Sequence, residues 1–140
     1  MFSIIFKINF NKNNNFFLKY KLYFQYIHFM EYLFTYGVFR DISSPLLEDS
    51  IFCDKAFVYG KLYRVNEFYP GYIAYNCDKK VHGDVYLVEP SLFEKLDEYE
   101  GDEYIRRKIW TSIGIEAWIY EYRNDISKFD EIKSGDWLLR

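Results

Sequence analysis

An α+β domain, rich in sheet and carrying one main helix, is what the sequence predicts over residues 30–140. Three observations point there. The 140 residues include 15 Tyr, 14 Phe and 3 Trp, side chains that suit pleated, half-buried surfaces. Short apolar segments alternate with turns built on Gly and Pro. One stretch, from Pro90 to about Glu100, repeats its apolar residues with the helical period instead. The length fits a single domain able to bury its own core.

The elements run in order along the chain. Tyr32 to Tyr36 reads as a strand that stops at Gly37. Residues 41–50 read as a loop with one helical turn, broken at Pro45. Lys55 to Val65 reads as a strand pair kinked at Gly60. Phe68-Tyr69-Pro70-Gly71 is a turn leading to a short strand, Tyr72 to Tyr75. Gly83 to Val88 sets Val85 and Leu87 against Tyr86 and Val88, as a strand covered on both faces does. Pro90 suits the first turn of a helix, and Gly101 suits the left-handed position just past its end. Leu92, Phe93, Leu96 and Tyr99 form the stripe that should face the sheet. Two more strands, Tyr104 to Trp110 and Glu116 to Tyr122, are joined by a hairpin near Gly114.

Residues 1–29 differ in kind. Phe, Ile, Asn, Lys and Tyr dominate them, and Pro, Gly, Asp and Glu are absent. No run of about 20 apolar residues is present to span a membrane, and no small-residue cleavage site marks a signal peptide. We read them as a low-complexity extension outside the fold, with Met30 as the start of the working protein.

Net charge is −3, divided unevenly. Lys7, Lys12, Lys19 and Lys21 give residues 1–30 a charge of +4, which leaves −7 for residues 31–140 (−3 minus +4). An acidic domain is a poor partner for nucleic acid, which needs a basic footprint. Cys53 and Cys77 have neither zinc nor disulfide-framework spacing, and two isolated thiols suggest a reducing, cytoplasmic setting. His28 and His82 are too few for a metal centre or a Ser-His-acid triad.

Glu100 is the acid whose position needs explaining. Glu94 and Glu98 fall off the helix stripe, but Glu100 lies eight residues after Leu92 and four after Leu96, on the apolar face. It also sits in the last turn, where the helix dipole disfavours negative charge. Burial, the dipole and the nearby Asp97, Glu98, Asp102 and Glu103 would all raise its pKa. A carboxylate so raised is suited to general-base work near neutral pH. The competing reading is a frayed helix end with Glu100 in water.

The ordered set Tyr36-Gly37-Val38-Phe39-Arg40, Gly60-x-Leu62-Tyr63, Tyr69-Pro70-Gly71, Val81-x-Gly83-x-Val85-Tyr86, Leu96-Asp97-x-x-Glu100-Gly101, Tyr104-x-Arg106, Ala117-Trp118-x-Tyr120 and Ser134-Gly135-Asp136-Trp137 resembles the γ-glutamylcyclotransferase-like superfamily. The small γ-glutamylamine-cyclotransferase-like branch is the part it looks closest to. The resemblance spans residues 32–137. It implies a small β-barrel of mixed strand directions with a helix packed on it, and release of 5-oxoproline from a small γ-glutamyl compound. It implies that the backbone of Tyr36, Gly37, Val38 and Phe39 holds the substrate's α-carboxylate. Glu100 would move the proton, Tyr120 would reach the cavity, and no metal, cofactor or membrane would be involved. Tyr104 would reach the cavity or pack in the core. Arg106 would pair with a buried carboxylate or with the carboxy-terminal segment, and Ser134 to Trp137 would latch the fold. Where relatives carry Thr or Ser and then Leu, this chain has Val38 and Phe39. That exchange favours an alternative, a non-catalytic relative that keeps the pocket to bind a small molecule.

Overall fold

The computed structural model of the chain describes residues 16–41 and 44–140. Half of the expected extension, residues 1–15, and residues 42–43 of the expected loop lie outside the described residues. Residues Phe16–His28 form helix α1, an element that no apolar stripe in the sequence announced. Its Tyr26 hydroxyl donates to Glu89 Oε1 at 2.5 Å.

Beyond α1 come β1 (Glu31–Thr35), the single turn α2 (Val38–Asp41), β2 (Ile51–Tyr59), β3 (Lys61–Arg64), β4 (Pro70–Ile73), β5 (Lys80–Val88), helix α3 (Leu92–Glu100), β6 (Tyr104–Trp110), β7 (Glu116–Tyr122) and β8 (Asp130–Glu131). The strands make one mixed sheet in the order β2-β5-β1-β7-β4-β3-β8, with β6 added alongside β7. Pairing is antiparallel except where β1 and β4 meet β7. The sheet curls into a half-barrel with α3 packed on it, the α+β architecture expected. β2 and β8 end this path, and β6 is a further free edge.

Two apolar clusters hold it. Phe34, Val58, Leu62, Tyr72, Val85, Ile119 and Trp137 form one. Leu33, Val88, Phe93, Leu96, Tyr104, Tyr120 and Tyr122 form the other, which fastens α3 to the sheet. Each such aliphatic or aromatic side chain fully buried contributes about 1.5–3 kcal/mol. The carboxy-terminal latch is present: the His82 amide donates to the Gly135 carbonyl at 2.8 Å, and Trp137 is fully buried.

Several local expectations change. Tyr99 leaves the α3 stripe and is 55% exposed, because the helix ends one residue later and the sheet does not extend beneath it. Arg106 pairs with neither a buried carboxylate nor the carboxy-terminal segment; it forms a pair of hydrogen bonds to Asp97, at 2.9 and 3.0 Å. His82 lies within β5. β2 begins at Ile51, before a bulge between Phe52 and Asp54. Both cysteines are free.

Candidate active site

β7 decides where a cavity forms. One of its edges pairs with β6 from Glu116 to Tyr122. The other is shared, since β1 meets it at Leu33–Trp118 and β4 at Tyr72–Glu121. Where β1 ends, the chain turns away through Tyr36, Gly37, Val38 and Phe39. The Tyr36 hydroxyl stitches the junction: it donates to the Tyr120 carbonyl at 2.5 Å and accepts from the Tyr72 amide at 3.2 Å. Gly37 lies so close to β4 that a Cβ there would stand 3.0 Å from both Cγ and Cδ of Pro70.

A narrow cavity of about 40 Å³ opens at this junction. Its wall includes Tyr36, Gly37, Val38, Phe39, Tyr69, Pro70, Glu100, Tyr104 and Tyr120. All six residues singled out as site residues, Glu100, Tyr36, Gly37, Val38, Phe39 and Tyr120, therefore border one space. The amides of Gly37, Val38 and Phe39 have no hydrogen-bond acceptor among the described residues. Tyr69 and Pro70 stand in the sequence motif without a role, although the β4 turn carries them to the cavity opposite Gly37.

Helix α3 presents Glu100 from its last turn. Gly101 then adopts φ 68°, and its amide closes the helix on the Asp97 carbonyl. A left-handed residue at that point is nearly costless only for Gly. Burial pushes the Glu100 carboxyl from 4.5 up to about 7. Burial is the cause resolved for this shift, and no contribution from the neighbouring acids expected from the sequence is resolved beside it. No hydrogen bond or ion pair to the Glu100 carboxylate is found among the described residues.

Tyr120 borders the cavity, and its hydroxyl donates to Asp97 Oδ1 at 2.6 Å. The Tyr104 hydroxyl donates to the Pro70 carbonyl at 2.7 Å. Burial alone would raise the Asp97 pKa, but hydrogen bonds from Arg106 and Tyr120 outweigh it and hold the group below its ordinary value. Arg106 itself is stacked, 4.4 Å from the Phe93 ring centre and 4.6 Å from that of Trp118. Phe39 packs on Tyr99 with ring centres 5.5 Å apart, which ties the loop to the helix end. Arg40 turns away from the cavity to Asp84 and Asp136. Among the described residues no group of His, Cys, Asp and Glu has the makings of a metal site, and no helix is long and apolar enough to cross a membrane.

Residues 33–139 match the family model described as gamma-glutamyl cyclotransferase, AIG2-like. A Methanocaldococcus jannaschii protein named "Putative gamma-glutamylcyclotransferase" is 31% identical over 121 residues, 77% of this chain and 96% of that protein. A Vibrio cholerae protein of the same description is 40% identical over 74 residues, 51% of this chain. That match spans 62% of the Vibrio protein, a little under two thirds of its length. The fold matches the crystal structure of an uncharacterised Pyrococcus horikoshii protein with a TM-score of 0.63 at 24% identity, covering 76% of this chain and 89% of that one.

Proposed function

Since the chain belongs to the gamma-glutamyl cyclotransferase, AIG2-like family, we propose that it cyclises a γ-glutamyl amine or peptide and releases 5-oxoproline, with Glu100 as the general acid/base. The observation that carries this is a partly buried carboxylate with no protein partner, bordering the same cavity as the Tyr36–Phe39 backbone.

The steps balance without water. The amides of Gly37, Val38 and Phe39 receive the substrate's α-carboxylate. Glu100, ionised, accepts a proton from the α-ammonium group. The freed α-nitrogen attacks the γ-carbonyl carbon within the same glutamyl unit, and a five-membered ring closes. As the bond from that carbon to the leaving nitrogen breaks, Glu100 returns its proton to the departing amine, and the second proton that the ring nitrogen must shed ends on the same amine, which leaves as an ammonium ion. The reacting atoms already share one molecule, so the protein's task is to hold one conformer and relay protons from the ring nitrogen to the leaving one. Orientation of that kind lowers a barrier by about 7–11 kcal/mol in favourable cases. A placed base adds roughly 10²–10⁴-fold. A base with its pKa near 7 is half ionised at neutral pH, where it can both take and return a proton. The two free thiols support a reducing, cytoplasmic setting.

The test is a panel of γ-glutamyl amines, γ-glutamyl peptides and glutathione, scored by 5-oxoproline release, with Glu100→Gln as the control. Turnover lost in the variant is the expected outcome; no turnover of any member by the wild type would remove the reading. The Phe39–Tyr99 contact beside a narrow cavity favours one second reading, a binding relative without turnover. Thermal stabilisation by 5-oxoproline with no product formed would select it.

A further inference from the structure

Four tyrosines border the cavity with Glu100: Tyr36 from the end of β1, Tyr69 from the turn before β4, Tyr104 from β6 and Tyr120 from β7. A phenol beside a buried carboxylate would be expected to donate to it, yet none does. Tyr36 donates to the Tyr120 carbonyl, Tyr104 to the Pro70 carbonyl, Tyr69 to Glu103 Oε2 at 3.5 Å and Tyr120 to Asp97 Oδ1. Three of these acceptors are the backbone or lie off α3. The fourth, Asp97, stands on α3 three residues before Glu100, and the charges of both carboxylates act on the Tyr120 phenol, raising its pKa. Tyr120 is thus the phenol that lies in the field of both acids and donates to Asp97. Asp97 is itself fixed by the paired hydrogen bonds from Arg106, and Arg106 is fixed by its stacking on Phe93 and Trp118.

We infer that Asp97 is a positioning residue: it captures the Tyr120 hydroxyl and so keeps the Glu100 carboxylate free of any protein donor, open to the substrate's amino group. This rests on Glu100 being the acid/base of the proposed reaction. The chemical reason is direct. A donor on Glu100 would stabilise its charged form and weaken it as a base, and it would occupy the lone pair that the substrate's proton needs. The other charged groups on this stretch, Glu98, Asp102 and Glu103, donate no hydrogen bond when ionised. Arg106 is held away by its two rings and Asp97.

The experiment reads Glu100 itself. The full chain, labelled with ¹³C at Glu side-chain carboxyls, is titrated by NMR as wild type, Asp97→Ala, Asp97→Asn and the double variant Asp97→Ala/Tyr120→Phe. In Asp97→Ala the released hydroxyl turns to Glu100, and its midpoint falls by about one pH unit, roughly tenfold in proton affinity. Asp97→Asn keeps an acceptor for the hydroxyl and keeps the midpoint near that of wild type. The double variant has no hydroxyl to turn and returns to the wild-type midpoint. A midpoint unmoved in Asp97→Ala overturns the inference. So does a midpoint equally low in Asp97→Asn or in the double variant, since charge removal would then be the cause. Should Asp97→Ala not fold, Asp97→Leu, of similar size and without an acceptor, takes its place beside Asp97→Asn, with a fallen midpoint expected and an unmoved one overturning the inference. No substrate enters this titration, so it stands apart from the outcome of the turnover assay.

Discussion

Replacing Glu100 with Gln removes a charge that burial opposes, and the change in stability can be worked out before it is measured. The folded carboxyl titrates at about 7 against 4.5 for the ordinary group. Below about pH 4.5 the folded and unfolded chains both hold this proton, and its contribution to stability is fully present. Between about 4.5 and 7 the unfolded chain releases the proton while the folded chain retains it, so stability drains away as pH rises. Above about 7 the folded chain carries a buried charge. The span is about 2.5 units, which at about 1.4 kcal/mol per unit is about 3 kcal/mol. Gln is neutral throughout and has nearly the same shape. Urea unfolding at about pH 4.5 should therefore give nearly equal stabilities, and at about pH 8.5 the variant should be the more stable by about 3 kcal/mol. With slopes of about 1–3 kcal/mol/M, the midpoint moves by at least about 1 M. A difference that does not vary with pH would show Glu100 in water and refute the reasoning, and a wild type that gains on the variant toward alkaline pH would show its carboxylate held by a donor or a cation.

The same ionisation should appear in turnover. The quotient kcat/KM should rise with pH through a limb near 7, which reports the free enzyme's base; a limb near the ordinary carboxylate range would place Glu100 outside the chemistry. Gly37→Ala puts a Cβ 3.0 Å from the Pro70 ring and forces the loop away from β4, so KM should rise more than kcat falls, read from initial rates over a substrate series. Trp137→Ala empties a fully buried site and should cost about 3–5 kcal/mol in urea unfolding. Residues 30–140 remain our proposal for the working unit, and a protein starting at Met30 should keep the turnover of the full chain. It should lose no more than about 2 kcal/mol of stability, since among the described residues Tyr26–Glu89 is the side-chain hydrogen bond that joins α1 to the sheet domain.

What could be read from the sequence was what local chemistry announces. Pro90 and Gly101 bracket a helix whichever sheet it packs on, and they framed α3 to within two residues. The place of Glu100 on the apolar face came from spacing alone. The cavity's wall needed the family pattern, because Tyr36 and Glu100 lie on different elements and only the crossing of β1, β4 and β7 joins them. Hydroxyl partners were out of reach. Tyr36, Tyr104 and Tyr120 have the same side chain, and nothing in the neighbouring residues tells which carbonyl or carboxylate each will find. Asp97 left a faint trace, an acid at the edge of the stripe three residues before Glu100. Tyr99 was misplaced for a physical reason: a periodic stripe continues on the helical wheel even where the sheet beneath it has ended.

The shared edge of β7 also sets when the site can exist during synthesis. The Tyr36 hydroxyl reaches a carbonyl 84 residues further along the chain. Closing so long a loop carries an entropy cost that grows only slowly with its length, but contacts this distant slow folding. A nascent chain released from the ribosome only as far as Gly101 would carry Glu100 and the loop without the strand that joins them. The protein is therefore without its cavity until β7 has been made, and a chain truncated before β7 has no partial version of the site to offer.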